Sequence, residues 1–304
     1  MPEHVIVGAG GVGSATAVLL AERGEHVSLI SRRGSGPQHP GIDTVAADAT
    51  DAEQLSKLSA GAVALYNCAS PQYHQWFTDW PPLASALLTA AERSGAVLTV
   101  MSNLYGYGQV DGAITQQTPL AATHPKLRLR AEMWQDALAA HEAGRIRMTE
   151  VRASDYIEAN SLISTAIGKP LLAGSRAYAP GPLNVPHSWT SIADCAGTLA
   201  AVAVDERAYG QAWLVPTNPA LTIRQLATMF AEVNGAPKAK LTAIPYPVMW
   251  AAGVFSPIVK ELRTTRYQFT SPFVIDASAT TDAFGLEPTP MDVALRDAAA
   301  RLRQ

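Results

Sequence analysis

The sequence predicts an α/β protein in which a doubly wound parallel sheet is followed by a smaller, mixed carboxyl-terminal lobe. Three observations support this fold class. Short apolar runs alternate with longer amphipathic segments, a glycine-rich loop follows the first apolar run, and the alternation ends in a region rich in Gly and Pro. Strands that alternate with helices are typically parallel and are joined by crossover helices.

The predicted strands of the sheet are short and rich in Val, Leu and Ile. They span residues 5–7, 27–30, 63–66, 97–101 and 146–153. The predicted helices place apolar residues at helical spacing, and Gly24 and Gly95 stand where two of them end. These helices span residues 12–23, 51–58, 83–94 and 126–142.

The carboxyl-terminal part combines predicted helices with irregular segments. Residues 173–186 are rich in Gly and Pro, and helices are predicted at residues 189–204, 222–234 and 292–302. We therefore predict a sheet domain of residues 1–155, to which residues 187–215 return. Residues 156–186 and 216–304 are predicted to form the smaller lobe.

The composition fits a globular protein and excludes several classes of partner. The chain has 304 residues, of which 48% are hydrophobic and 16% charged, and its formal net charge is -3. Because no strongly basic face follows from this charge, we expect no nucleic-acid partner. Cys68 and Cys195 have no Cys or His at metal-ligand spacing, so no metal site is expected.

One uncharged segment, residues 241–259, is long enough to span a bilayer as a helix. It contains Pro245, Pro247 and Pro257, which would disrupt the backbone hydrogen bonds of a spanning helix. We therefore expect no membrane segment. The first predicted strand follows Met1 too closely to leave room for a signal peptide, so a cytoplasmic protein is expected.

The loop after the first strand has the G-x-G-x-x-G spacing of dinucleotide-binding sites. The residues expected to bind the cofactor there are Gly8, Gly10, Gly11, Val12 and Gly13. Such glycines allow a tight turn, a close approach of the backbone to a pyrophosphate, and close packing of helix on strand. The helix amino terminus adds unpaired N–H groups and a partial positive charge. The sheet domain is therefore predicted to be a dinucleotide-binding Rossmann domain.

The end of the second strand favours NADP over NAD. A site for NAD usually places an Asp or Glu about twenty residues beyond the glycines. Here the chain reads Ser31, Arg32, Arg33 and Gly34. Two guanidinium groups and a hydroxyl suit a 2′-phosphate, since arginine binds phosphate bidentately. The alternative is that these arginines are solvated loop residues.

Further segments follow the glycine loop in an order that is familiar from one family. They are residues 46–51, 67–70, 102–106, 151–156 and 189–194. With the loop, they resemble the extended or atypical short-chain dehydrogenase/reductases of the NAD-dependent epimerase/dehydratase type. The resemblance implies cofactor contacts from Asp48, at the adenine, and from Cys68, Ala69 and Ser70. It also implies a possible homodimer that pairs through helices 83–94 and 126–142.

Two departures from the family pattern affect the predicted mechanism. The glycine loop is one residue shorter than the family's usual G-x-x-G-x-x-G, and the family's Tyr-x-x-x-Lys pair is missing. If Glu132 is used to fix the register, Arg128 takes the lysine position and His124 the tyrosine position. Arg128 is then expected to hold the nicotinamide ribose, although an arginine does not relay protons. An imidazole can serve as acid or base near neutral pH, so His124 is either catalytic or a helix-capping residue.

Polar residues after the predicted strand 97–101 are alternative catalytic candidates. Tyr105 or Tyr107 is the proton donor if His124 is not, or else these rings pack beneath the cofactor. Ser102 or Asn103 is expected to hydrogen-bond a substrate oxygen, because parallel sheets place their ligand crevice at this edge.

The substrate is expected to contact a zone where the lobe meets the sheet in the family. Its candidate residues are Tyr156, Asn160, His187 and Trp189. Trp76 and Trp80, predicted to lie in the loop after strand 63–66, belong to the same hypothesis. The aromatic and neutral character of this zone favours a substrate that is less polar than a nucleotide sugar.

Three functions follow from these patterns. The first is an NADP-dependent oxidoreductase that transfers a hydride to or from a small carbonyl, enone or hydroxyl substrate. The second is an NAD(P)-dependent epimerase or dehydratase, which oxidises and re-reduces one substrate. The third is a catalytically silent NADP-binding sensor or scaffold, because the acid–base pair of the family is missing.

Overall fold

The structure, a computed structural model, describes residues 4–261 and 263–303. Its strands are β1 (His4–Val7), β2 (Val27–Ser31), β3 (Ile42–Ala46), β4 (Ala64–Asn67), β5 (Val97–Asn103), β6 (Met148–Ala153), β7 (Asp155–Tyr156), β8 (Arg176–Pro180), β9 (Trp189–Thr190), β10 (Ala212–Leu214) and β11 (Lys240–Ile244). Its α-helices are α1 (Gly11–Glu22), α2 (Ala52–Leu58), α3 (Trp76–Ser94), α4 (Pro125–Glu142), α5 (Gly168–Leu172), α6 (Ile192–Val202), α7 (Ile223–Val233), α8 (Tyr246–Ala252), α9 (Pro257–Glu261), α10 (Tyr267–Thr270), α11 (Ser278–Phe284) and α12 (Met291–Arg303).

The chain forms two compact units. The first comprises Met1–Gly106, Leu120–Ala153 and Cys195–Val215. The second comprises Tyr107–Pro119, Ser154–Asp194 and Pro216–Gln304. Compactness does not assign a function to either unit, so the division into a cofactor domain and a substrate lobe stays a prediction.

A seven-stranded sheet, in the order β10-β6-β5-β4-β1-β2-β3, organises the first unit. Each neighbouring pair of strands is parallel. The predicted doubly wound parallel sheet is therefore confirmed. The strand order changes direction between β1 and β4, and open α/β sheets bind their ligands at the carboxyl ends of the strands beside such a switch point.

Two strands at the edges of the sheet were not predicted from the sequence. In β3, only Ile42 is buried, whereas Asp43, Thr44 and Ala46 are exposed. An edge strand of this kind lacks the apolar run that marks a central strand. At the other edge, β10 is only three residues long.

Helix α3 begins earlier than predicted, so the placement of Trp76 and Trp80 in a loop was wrong. Both tryptophans are buried in the first turns of α3, although the helix contains Pro81 and Pro82. The prolines led to a predicted start at residue 83, because proline removes a helical hydrogen bond. The buried residues Trp76, Trp80, Leu83 and Leu87 recur at intervals of four and three, and this apolar stripe packs into the core of the first unit.

The second unit has two small parallel sheets, which pair β8 with β11 and β7 with β9. Helices α7 and α12 contribute Leu226, Phe230 and Leu295 to its core. The buried carboxylate of Glu158 accepts hydrogen bonds from the Ile192 N–H (3.0 Å) and the Ser191 hydroxyl (2.5 Å) where α6 begins. Burial raises the pKa of this carboxyl above its usual range.

The described residues include no helix that is long and apolar enough to cross a membrane.

Candidate functional site

The glycine loop packs tightly where β1 passes into α1. Gly8 has a φ of +105°, and a Cβ atom at this position would lie 2.5 Å from the Ala69 backbone nitrogen. A Cβ atom at Gly13 would lie 1.8 Å from the Gly8 carbonyl oxygen. These two glycines are therefore required by packing within the protein itself, as the motif predicts for its first and last positions.

Gly10 differs from these two glycines because nothing in the protein requires it. It is the exposed N-cap of α1, with extended backbone angles, and no atom lies within 4 Å of where a Cβ would be. No acidic side chain stands in the first turn of α1. The helix amino terminus beside Gly10 therefore leaves an open backbone surface with N–H groups and a partial positive charge, which suits a phosphate group.

The loop after β4 lies against the glycine loop at the switch point. The Cys68 N–H donates to the Val7 carbonyl (2.8 Å), and the Asn67 side-chain oxygen accepts from the Ala69 N–H (3.2 Å). The Asn67 Nδ2 atom is buried and has no hydrogen-bond partner among the described residues. Burial raises the pKa of the Cys68 thiol to about 12, so the thiol stays protonated and serves packing. Ser70 is exposed at the end of this loop.

The predicted phosphate-binding loop follows β2. Arg32 and Arg33 are exposed there, as a site for a 2′-phosphate requires. The Ser31 hydroxyl instead holds its own loop, because it accepts a hydrogen bond from the Ser35 N–H (2.9 Å). Hydrogen bonds from the Thr50 N–H and hydroxyl, and the nearby Arg32 cation, lower the pKa of Asp48 below its usual range. We therefore keep both arginines as phosphate-binding candidates and assign Ser31 to the loop.

The register that was predicted for α4 from Glu132 does not agree with the structure. Arg128 and Glu132 form an exposed ion pair (3.0 Å) on the solvent side of α4. The buried face of α4 carries two other cations, Lys126 and Arg130, one helical turn apart. Glu132 was a misleading reference, because an outward carboxylate fixes the wrong face of the helix.

Arg130 reaches the end of strand β5 and contacts Ser102 there. Its Nη2 atom donates to the Ser102 hydroxyl oxygen at 2.8 Å, and both residues are buried, with exposed fractions of 5% and 6%. The guanidinium also lies 4.3 Å from the ring centroid of Trp80. Lys126 lies 4.5 Å from the ring centroid of Tyr73. A guanidinium group and a serine hydroxyl are therefore joined beside the carboxyl end of β5, and a second cation lies one helical turn away on α4.

The structure places His124 at the amino terminus of α4, where it is the N-cap residue. Its Nδ1 atom accepts a hydrogen bond from the Lys126 N–H (3.2 Å), and its backbone is extended. The side chain is exposed. Of the two interpretations made for His124, the geometry favours the cap.

The residues after Ser102 differ in how far they are buried. The Asn103 side-chain oxygen accepts from the Tyr105 N–H (3.1 Å) and so shapes the turn. Tyr105 is half-buried and packs edge-on against Tyr73. Tyr107 is only 1% exposed and belongs to the core, so of the two interpretations made for it the burial favours packing over proton donation.

Two of the predicted substrate contacts are core residues of the second unit. His187 is buried, its Nε2 lies 2.9 Å from Asp155 Oδ2, and its ring stacks on Phe269. The Trp189 indole is also buried and donates to the Leu221 carbonyl (2.8 Å). These placements correct the substrate-contact predictions for His187 and Trp189, whose polar tips are used inside the unit. Tyr156 is half-buried and Asn160 exposed, so both stay candidates.

Lys126 and Arg130 were missed because charged residues on an apolar helix face contradict the usual pattern. The buried positions Leu127, Ala131, Ala137 and Ala140 mark the inner face of α4, and both cations stand on that face. A helical projection of the sequence contains this signal. A second missed feature is the buried ion pair of Glu150 and Arg152 on β6, joined at 2.7 Å. No group of side chains that could hold a metal ion occurs among the described residues.

Comparison with known proteins identifies the fold. No protein-family model and no curated protein matches the sequence. MoeE5, solved in complex with UDP-glucuronic acid and NAD, aligns with a TM-score of 0.79 at 16% identity, over 99% of this chain and 99% of that chain. A dTDP-glucose 4,6-dehydratase from Bacillus anthracis, in complex with NAD, aligns at 0.78 and 15% identity, over 100% and 97%. A UDP-glucose 4-epimerase from Thermotoga maritima aligns at 0.77 and 13% identity, over 99% and 98%.

Two of these structural neighbours are named as a dehydratase and an epimerase of nucleotide-linked glucose, and MoeE5 was solved with a UDP-sugar and NAD. The resemblance predicted from the sequence is therefore confirmed at the level of the fold. The ligands named above are those of the neighbours and are not assigned to this protein by the alignment.

Proposed function

We propose that the first unit binds a nicotinamide dinucleotide at the carboxyl edge of its sheet, and that the protein is an oxidoreductase acting on a hydroxyl or carbonyl carbon of a small molecule. The observation that carries this proposal is the glycine loop at the switch point. Gly8 and Gly13 are fixed by packing within the protein, whereas Gly10 is open on the side that a ligand would take. Among the described residues, no close contact excludes a larger side chain than glycine at position 10.

The residues present fit such a cofactor. The amino terminus of α1 suits the pyrophosphate, and Arg32 and Arg33 suit a phosphate on the adenosine ribose. Asn67 Nδ2 is a buried donor without a partner in the described chain, and a ligand acceptor at the switch point would satisfy it. When bound, the nicotinamide would supply the hydride acceptor or donor that the protein lacks.

The buried side chains of Ser102, Lys126 and Arg130 form a polar centre, which supplies the groups that this chain contributes to the reaction. Because Arg130 donates to the Ser102 oxygen, the serine keeps its own proton for donation to a substrate oxygen. The guanidinium stays charged at any working pH and stabilises negative charge that develops on that oxygen. The burial of both groups strengthens this electrostatic effect, since little water screens it.

We propose that NADP is preferred over NAD, since two exposed arginines follow β2 and no acidic residue stands there. We expect calorimetric titration to show tighter binding of NADPH than of NADH. The double variant Arg32→Ala, Arg33→Ala should lose about ten-fold or more in affinity for NADPH and little for NADH. Equal binding of the two cofactors by the unaltered protein would contradict the preference without contradicting dinucleotide binding.

The reaction itself is tested at the polar centre. We expect Ser102→Ala and Arg130→Met each to lower kcat by about 100-fold or more, because each removes a donor or charge from the transition state. Arg130→Lys keeps the charge but loses the guanidinium fork, so it should recover only part of the rate. Arg145→Met is the control, since its exposed ion pair with Glu92 lies at the surface. Full activity of both Ser102→Ala and Arg130→Met would contradict the assignment.

A second candidate, an epimerase or dehydratase, is favoured by the reactions named for the structural neighbours. Such an enzyme oxidises and re-reduces one substrate, so it converts substrate without net consumption of cofactor. Measuring product and reduced cofactor in the same reaction distinguishes the two candidates. Tight dinucleotide binding without turnover of any carbonyl or hydroxyl compound would instead support the silent sensor.

A further inference from the structure

A pocket lies within the second unit, beside helices α8, α9 and α10. It is lined by the side chains of Tyr246, Met249, Val259, Arg263, Arg266 and Phe269, and by the Pro–Gly turn that ends β8. None of the sequence patterns predicted this pocket. Its lining includes no residue of the glycine loop or of the polar centre.

Two arginines in the pocket are held in place by aromatic rings. The Arg263 guanidinium lies 4.7 Å from the ring centroid of Trp250, and the Arg266 guanidinium lies 4.1 Å from that of Tyr246. Stacking of this kind orients a guanidinium. The Arg263 Nη2 atom also donates to the Trp250 carbonyl (2.5 Å), whereas the N–H edge of the exposed Arg266 stays available for hydrogen bonds. The Arg263 Nε atom is buried and has no hydrogen-bond partner among the described residues. A buried donor without a partner is costly, and an anionic ligand would satisfy it.

The remaining lining is apolar. Met249, Val259 and Phe269 offer only hydrocarbon, thioether and ring surface. No Asp, Glu, Asn, Gln, Ser or Thr occurs among the described residues that line the pocket. Side chains of those types commonly hydrogen-bond the edge of a nucleobase or the hydroxyls of a ribose, and the described lining offers none of them.

From these features, we propose that the pocket binds a small molecule in which one anionic group is joined to an apolar body, and that it rejects nucleotides. The stacked arginines bind the anion, and the apolar lining buries the body of the ligand. This inference goes beyond the proposed function and is independent of cofactor binding. A ligand of this kind would differ in chemical class from the UDP-sugars with which two of the structural neighbours were solved.

The test is equilibrium dialysis of the whole protein, without dinucleotide, against four probes: decanoate, decyl phosphate, decanol and UDP. We expect saturable binding of decanoate or decyl phosphate at least about ten-fold tighter than that of decanol or UDP. The ratio between the two anions shows whether the natural anionic group is a carboxylate or a phosphate. Equal binding of decanol and decanoate, or tighter binding of UDP, would overturn the proposal.

Matched arginine variants locate the binding. Arg266→Gln should lower the affinity for the bound anion by about ten-fold, and Arg266→Lys should recover part of it. Arg224→Gln is the control, because Arg224 is an exposed arginine of the same unit that hydrogen-bonds Asn184 (2.9 Å) away from the pocket lining. Thermal unfolding checks that each variant is folded. Equal losses in Arg266→Gln and Arg224→Gln would contradict the site.

Discussion

Replacing Gly13 by alanine is expected to destabilise the first unit by more than about 3 kcal/mol. The new Cβ would stand 1.8 Å from the Gly8 carbonyl oxygen and 3.1 Å from the Cys68 Cβ. A backbone carbonyl cannot turn away as a flexible side chain can, so either the loop or α1 must move. Urea unfolding followed by circular dichroism measures this loss.

The variant Gly10→Ala is the matched comparison. Gly10 has a φ of -76° and a ψ of -174°, which alanine adopts freely, and its Cβ would meet no atom within 4 Å. We expect its stability to stay within about 1 kcal/mol of the unaltered protein, while dinucleotide affinity falls by about ten-fold or more. Unchanged affinity in Gly10→Ala would show that no ligand approaches this backbone, and a stable Gly13→Ala would contradict the packing argument.

The second large effect is expected at the buried ion pair on β6. Glu150 and Arg152 are joined at 2.7 Å, and both side chains are 5% exposed. The Arg152 guanidinium also lies 5.0 Å from the ring centroid of Trp134 on α4. Glu150→Ala removes the carboxylate and leaves the guanidinium buried, which typically costs about 3–5 kcal/mol. Denaturant unfolding measures the difference in free energy.

An exposed ion pair in the same unit provides the control for this experiment. Glu92 pairs with Arg145 at 3.2 Å, and both side chains are about half exposed. Glu92→Ala should therefore cost at most about 1 kcal/mol. If Glu150→Ala proved as mild as Glu92→Ala, then the Glu150 carboxylate would not be what stabilises the buried guanidinium.

The parts of the fold that could be predicted depend on local signals. The spacing of Gly8, Gly10 and Gly13 places a strand, a turn and a helix, because Gly8 has a positive φ at the turn, Gly10 caps α1 and Gly13 packs against the Gly8 carbonyl. Central strands are buried along almost their whole length and each carries several apolar residues, so β1, β2, β4, β5 and β6 were all found. The edge strand β3 was missed, since it exposes most of its residues.

The polar centre was harder to predict, because it depends on which face of α4 meets the sheet. Arg128 and Glu132 form an i, i+4 pair that resembles part of the family pattern, but that pair faces solvent. Lys126 and Arg130 face inward, where their charges are held by Tyr73, Trp80 and Ser102. Those partners come from α3, the segment before it and β5, so tertiary contacts decide the register and the sequence pattern of α4 alone does not.

The substrate contacts were only partly predictable for the same reason. His187 and Trp189 have polar tips that suit a ligand, but the structure uses them for Asp155 and the Leu221 carbonyl. The pocket arginines follow residues 241–259, a segment that the sequence marked only by its prolines and lack of charge. Their stacking on Tyr246 and Trp250 becomes visible only once the short helices are folded.

The central claim is that a nicotinamide dinucleotide binds along the glycine loop of the first unit. Hydrogen–deuterium exchange with and without saturating NADPH tests it most directly, because exchange reports which backbone N–H groups a ligand covers. The account predicts slower exchange at residues 8–14, 31–34 and 67–70, and an unchanged rate at the exposed amino-terminal part of α7, which carries Arg224. Unchanged exchange at residues 8–14 under saturating NADPH and NADH would contradict the account.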